Sequence, residues 1–461
     1  MGSSESLAGR LERLAPFALG AALAIAAGLL LWESRGVTFF VDEWSFGYAS
    51  RTGWRLGELL EAQNGHLMLV PVVVTKLSLE VFGAGTTLPL RLLSIGLHLT
   101  NAVLLYLLLR GPLGRSAAFA PAVLVLFLGS AADLLIGSHG LPMVAACAAG
   151  LGSWLALERD GGGGDAVAAV LLCLGVASNG LALLFLAGAV ALLALARAPR
   201  RRYWVVALPL ALYGIWWLVK GGEGESDFAY ANLAALPAFA FDSLAAELAA
   251  LSGLFTSAGV RDQTSFDPAP GIALAGAVLV GSTALWIAGW RPSKAALPAL
   301  VALLALWVTT GAVASAARQP ESARYLYPGV ILLFLLGAWL LADSPWRGRG
   351  TVALVAVCAL GLLPNLRELH YGAAFFREQS DQDRAVLAAA DGLGPEAPGD
   401  LVLELEGDPG LIGVPDLNLD LSTYRAARHR YGSPAFSDAE LAAATPSAQA
   451  AAARLAQRAA E

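Results

Sequence analysis

Apolar residues run along this chain in blocks of the length that a membrane helix needs. They fall at 14–33, 67–83, 87–109, 117–136, 140–157, 164–178, 181–197, 203–219, 271–290, 295–315, 325–343 and 350–366. A bilayer core takes about 20 helical residues to cross, so the pattern predicts an all-α polytopic membrane protein. One block stands apart. LMLVPVVVTKLSLEVFG, residues 67–83, is short and holds Lys76 and Glu80, and a charge at the bilayer centre costs at least about 2.5 kcal/mol.

The basic residues decide how to treat that block. If 67–83 does not span, one side of the membrane collects Arg10/Arg13, Arg110/Arg115, Arg159, Arg197 with Arg200–Arg202, Arg291/Lys294 and Arg347/Arg349. If it does span, every cluster after the first changes side. The excess of Lys and Arg in cytoplasmic loops favours the first arrangement. The expectation is about eleven spans, an uncleaved first span, a cytoplasmic N-terminus, and 67–83 lying along the outer surface or re-entering.

This topology divides the chain into a membrane domain, 1–366, and an extracytoplasmic C-terminal region, 367–461. The outer face receives the loops 34–91 and 220–270, the second with an amphipathic helix over 232–260. In the tail, RELHYGAAFFREQSDQDRAVLAAADGLG reads as a helix ended by Gly392 or Gly394. LVLELEG reads as a strand, Ser437 with Glu440 as a capping box, and AAARLAQRAAE as a helix. The tail is therefore expected to be a small α/β or partly flexible region without a catalytic motif.

Composition agrees with a membrane location. Hydrophobic residues make up 57% and charged residues 14% of the 461, and mean hydropathy is +0.63. Soluble domains carry about 25% charge. Cys147, Cys173 and Cys358 lie within apolar blocks, where packing explains them better than a disulfide framework or a metal site. The net charge of -6 says less than the placement of the charges. Richness in Ala, Gly and Arg suggests a GC-rich bacterial genome, hence a bacterial cytoplasmic membrane.

Polar groups of chemical interest gather at the outer ends of the spans. In FFVDEWSFGYASRTGW the adjacent acids Asp42 and Glu43 lie among aromatic rings. A capped helix start beside an interfacial aromatic belt explains them, and so does acid–base work facing outer water. Asn64, Gly65 and His66 precede the interfacial block, and Arg91 stands at the mouth of the second span, where snorkelling is the plain alternative. Asp133 and His139 bracket the turn after the third span. RQPESARYLYPG places Arg318 and Arg324 on the outer side with Tyr325 and Tyr327; arginine suits phosphate, and the tyrosines suit a sugar ring or an interface. His98 and Asn101, inside a span, read as helix–helix hydrogen-bonding groups.

With these features the chain resembles the C superfamily of integral-membrane glycosyltransferases, which includes protein O-mannosyltransferases and lipid A aminoarabinose transferases. The resemblance covers 1–366 and rests on the Asp42-Glu43 pair early in the first external loop, the interfacial helices before the second span and the span count. It implies transfer of a sugar from a polyprenyl-phosphate donor to a glycan, lipid or protein acceptor on the outer face. Asp42 would be the catalytic base, with Glu43 as its neighbour. Asp133 and His139 would match a second acid or histidine of the family. Arg324, with Arg318 or Arg91, would hold the donor phosphate. No cofactor is implied, a divalent metal is not indicated, and no nucleic acid is involved. The family's His-Pro-Pro element has only NGHLMLVP here, so His66 is an approximate match. Two non-catalytic alternatives stand beside the enzyme: a transporter or flippase of lipid-linked glycans, and a membrane assembly protein.

Overall fold

The computed structural model describes residues 7–40, 43–44, 54–63, 65–159, 161–221, 228–257, 266–315, 318–403, 417 and 419–461. Asp42 and Asn64 lie outside the described residues. What is described is almost entirely helical, as an apolar chain requires when lipid offers its backbone no hydrogen bonds.

The membrane part begins with α1 (Leu7–Glu33) and, after short α2 (Leu56–Leu59) and α3 (Leu69–Phe82), continues through α4 (Leu88–Leu113). Then come α5 (Arg115–Leu126), α6 (Ala132–Ile136), α7 (Leu141–Leu157), α8 (Gly162–Val176), α9 (Ala182–Leu195) and α10 (Trp204–Lys220). They are followed by α11 (Tyr230–Ser252), α12 (Ala269–Ile287), α13 (Leu297–Ala312), α14 (Ala323–Ala342) and α15 (Arg347–Gly392). Among the described residues, 8 helices are long and apolar enough to cross a membrane, and the α5–α6 pair, bent by 42°, makes a ninth. The protein is an all-α polytopic membrane protein. The difference from the expected count has a definite source: α7, α8 and α9 have 17, 15 and 14 residues, or roughly 25 to 21 Å at 1.5 Å per residue.

α11 also meets the length and composition of a span, yet its contacts run across the bundle. Asn232 at its start donates from Nδ2 to the carbonyls of Ala312 and Ala314, 3.2 and 3.1 Å away, where α13 ends. Farther along, Ala245 packs on Gly271 near the start of α12, Glu247 on Gly329 near the start of α14, and Leu251 on Gly361 of α15. One helix thus crosses the ends of three others and reaches the middle of a fourth.

Two charges that spoke against a span at 67–83 are accounted for in α3. Lys76 is buried with Glu58, Glu61 and Glu80 nearby, and burial lowers its pKa. Glu80 pairs with Arg430 of the tail. Before α3, β1 (Ala62–Gln63) and β2 (His66–Leu67) form an antiparallel hairpin. Gly65, just before β2, has φ 75°, as a tight hairpin connection demands.

Polar residues join the helices. His98 Nδ1 and the Tyr327 hydroxyl share a 2.9 Å hydrogen bond, while Asn101 Nδ2 donates to the Val144 carbonyl at 2.9 Å. Asn365 is fully buried; its Nδ2 donates to the carbonyls of Ala250 and Gly361 at 2.8 and 2.9 Å, and its Oδ1 accepts from Ser130 N at 3.1 Å. Beside it Gly129 sits against the α15 backbone, so closely that an added Cβ would collide with the Asn365 carbonyl. Gly129→Ala is therefore expected to destabilise the bundle by about 1–3 kcal/mol through overpacking, visible as a lowered thermal midpoint in detergent. An unchanged midpoint would show that the contact between Gly129 and α15 is looser than described.

The sequence divides the last span from a tail helix, but α15 runs unbroken through both for 46 residues. It stops at Gly392. Glu33, at the end of α1, fastens it: Oε2 accepts from Arg377 and Oε1 pairs with His370, each at 3.1 Å. The tail then adds α16 (Leu421–Tyr431), α17 (Asp438–Ala442) and α18 (Pro446–Ala460). Ser437 and Glu440 form the expected capping box. Of the expected LVLELEG strand, Val402 makes an isolated bridge to Asp420, and residues 404–407 fall outside the description. Phe39, Trp44, Leu79 and Leu90 share one buried cluster with Leu387, Tyr424, Tyr431 and Leu455, so the tail packs onto the first loop through a common core.

Candidate functional site

The hairpin, the α6–α7 turn and the α13–α14 turn converge on a cavity of about 300 Å³ lined by His66, His139, Arg318, Arg324 and Tyr325. All but Tyr325 arrive from segments that the apolar pattern leaves polar. β2 carries His66, and bonds on either side of the hairpin fix its ends: Trp216 Nε1 donates to the Leu60 carbonyl at 2.8 Å, and Val70 N donates to the Ala177 carbonyl at 2.9 Å. Arg318 N donates to the Ser315 carbonyl at 2.9 Å, and Arg324 stands in the first turn of α14. The Arg324 guanidinium lies 5.3 Å from the Tyr325 ring centre, a cation–π distance.

His139 and Asp133 form a dyad. Nε2 of the histidine donates to Asp133 Oδ1 at 2.6 Å, with the carboxylate side chain about one-third exposed and the ring more buried. The His139 ring lies 4.7 Å from Phe40 and 5.5 Å from Phe376, which are 5.1 Å apart. Phe40 brings the first loop to the site, because its amide N donates to Glu43 Oε2 at 3.1 Å and its carbonyl accepts from Glu43 N at 2.9 Å. Glu43 is buried, 2% exposed, and shapes that turn. Its neighbour Asp42 lies outside the described residues.

Two other expected donor-binding residues sit elsewhere. Arg91 is bound to the Ser34 carbonyl and hydroxyl; it ties α4 to the end of α1 and does not line the cavity. Tyr327 is fully buried against His98 in the helix core. Conversely, Asn179, Gly180, Tyr213, Thr309 and Thr310 line the cavity without having been singled out. The Ser-Asn-Gly break between α8 and α9 was the available signal for the first two. Asn179 Oδ1 accepts from Leu181 N at 2.9 Å, which shapes the turn. Gly180 leaves room for the imidazole, since a Cβ there would stand 2.7 Å from His66 Nδ1.

The electrostatics favour an anion. Burial pushes the His66 pKa down to about 4, with Arg318 and Arg324 adding like-charge repulsion. A depressed histidine stays neutral above its folded value, so His66 offers the cavity a neutral imidazole at pH 6–8. Its NMR titration should show a midpoint near 4 and no change between pH 6 and 8; a midpoint near 6.5 would place the ring in open water. Among the described residues no group of three or more His, Cys, Asp or Glu stands ready to hold a metal ion.

No protein-family profile matches the chain, and no curated protein sequence does. A solved structure does: the crystal structure of ArnT from Cupriavidus metallidurans bound to undecaprenyl phosphate. The likeness covers 95% of this chain and 88% of that one, with a TM-score of 0.50 and 14% sequence identity. The fold is that of ArnT. The ArnT likeness extends through the tail as well as the membrane helices, given the share of the chain it covers.

Proposed function

We propose that this protein is a glycosyltransferase that moves a sugar from a polyprenyl-phosphate donor to an acceptor on the outer face of a bacterial cytoplasmic membrane. The observation that carries this reading is one cavity combining Arg318 and Arg324 with apolar side chains of α7 and α9. Two guanidinium groups suit a phosphate, and the apolar wall suits the lipid attached to it. The ArnT structure, with undecaprenyl phosphate bound, supports the same class of donor.

In this mechanism the Asp42 carboxylate takes the proton of an acceptor hydroxyl. The hydroxyl oxygen bonds to the anomeric carbon as the carbon–oxygen bond to the phosphate breaks, inverting the centre. Arg318 and Arg324 stabilise the departing lipid phosphate. The Asp133–His139 dyad sits beside them to direct a hydrogen bond or relay a proton. Transport is disfavoured by the positions of His98 and Asn101, because both polar groups are engaged in bonds between helices.

Asp42→Asn is expected to lower sugar transfer by about 10²–10⁴-fold, the usual share of a general base, with unchanged expression and melting temperature. Wild-type transfer by both Asp42→Asn and Asp42→Ala would remove Asp42 from the role.

A further inference from the structure

The chain contains three methionines, Met1, Met68 and Met143, and both internal ones line the cavity that holds the two arginines. In a sequence with 57% hydrophobic residues, methionine is thus scarce, and its two internal copies fall at one place. Met68 directly precedes α3, packs with Val72 and is buried. Met143 stands in the first turn of α7 and packs against the main core. They come from different elements and line the same cavity, where Val70 at the start of α3 bonds to the Ala177 carbonyl at the end of α8. Pro142, Leu181 and Leu184 line the same cavity.

A thioether differs from a leucine in two ways that matter here. It is unbranched and polarisable, so it adapts to an irregular partner, and an unsaturated isoprene chain is such a partner. It is also oxidisable. We propose that Met68 and Met143 form the wall that takes the first isoprene units of the polyprenyl phosphate, and that peroxide oxidation of their sulfurs closes the cavity to the lipid. This rests on the donor assignment made above. In the oxidation a sulfur lone pair attacks one peroxide oxygen, the S–O bond forms as the O–O bond breaks, and the departing hydroxide takes up a proton to leave as water. Two electrons pass from sulfur to peroxide. The resulting sulfoxide is strongly polar, and covering it with isoprene leaves that dipole without a partner. The arginines are unchanged, so the effect is confined to the lipid and spares the phosphate.

The test uses the full-length protein in nanodiscs, with undecaprenyl phosphate and inorganic phosphate as separate probes, before and after hydrogen peroxide. After oxidation, wild type should bind the lipid phosphate about tenfold more weakly while its response to inorganic phosphate is unchanged. The Met68→Leu/Met143→Leu variant retains Cys147, Cys173 and Cys358, so it controls for thiol oxidation; its lipid binding should be indifferent to peroxide. Met143→Gln, which puts a polar group of similar length on the wall, should weaken lipid binding without any oxidant. The proposal is overturned if peptide mass spectrometry finds both sulfoxides and lipid affinity is unaltered, or if the sulfurs of the lipid-free protein resist peroxide. A wild-type protein that never binds the lipid phosphate overturns the donor assignment itself, and is told apart by the lack of binding in every arm.

Discussion

Alanine in place of Arg324 is expected to lower polyprenyl-phosphate affinity by about 10–100-fold, and the Arg318→Ala/Arg324→Ala pair by more. A hydrogen bond to a charged group is worth about 1.5–3 kcal/mol, and a guanidinium offers a phosphate two at once. Lysine at 324 keeps the charge but loses the fork, so it should recover only part of the affinity. Binding in nanodiscs measures the loss, and His66 supplies a second readout. Both arginines help depress its pKa, although burial is the larger cause. Removing them should shift the His66 midpoint upward from about 4, short of the ordinary 6.5. A variant that binds lipid like wild type while His66 has moved would put the arginines in the cavity but off the phosphate.

Asp133→Asn is expected to slow sugar transfer by about 10²-fold, the lower range for groups in acid–base work, while lipid-phosphate affinity stays within a few-fold. The distinction follows from geometry. Asp133 touches His139 at 2.6 Å and orients its ring, whereas the arginines carry the charge proposed to meet the phosphate. His139→Gln should cost a similar factor, and the double variant little more, because residues acting as one unit are not additive. Separate measurement of kcat and KM decides: an equal loss of lipid affinity would make the dyad a binding element, and an unchanged kcat would make it structural.

Much of this was legible in the chain. Apolar blocks locate the long helices because lipid forces the backbone to bond to itself. His66, His139, Arg318, Arg324 and Tyr325, which line one cavity, were legible as candidates because ionisable side chains near a span carry a cost and an aromatic ring marks the interface. Arg91 and Tyr327 have the same chemical character and the same kind of position, yet Ser34 and His98 occupy them. Only three-dimensional contacts separate a strut from a ligand contact. The continuity of α15 was hidden for a related reason. Asn365, His370 and Arg377 look like the end of a span, but Ser130 and Glu33 satisfy them and the helix continues. The hairpin at His66 was signalled by Asn-Gly, the strongest short-range hairpin signal, and was overshadowed by the apolar block that follows.

The unbroken 46 residues of α15 set a phase as well as a length. Each residue of an α-helix advances the azimuth by roughly 100°. Phe376, beside His139, and Leu387, inside the tail's core, are therefore geared to each other like teeth on one shaft. An insertion between them that is not close to whole turns would swing the tail around the bundle while leaving every local sequence intact. Evolution of this protein can alter this rod only in steps near whole turns, such as seven residues for about two or eleven for about three.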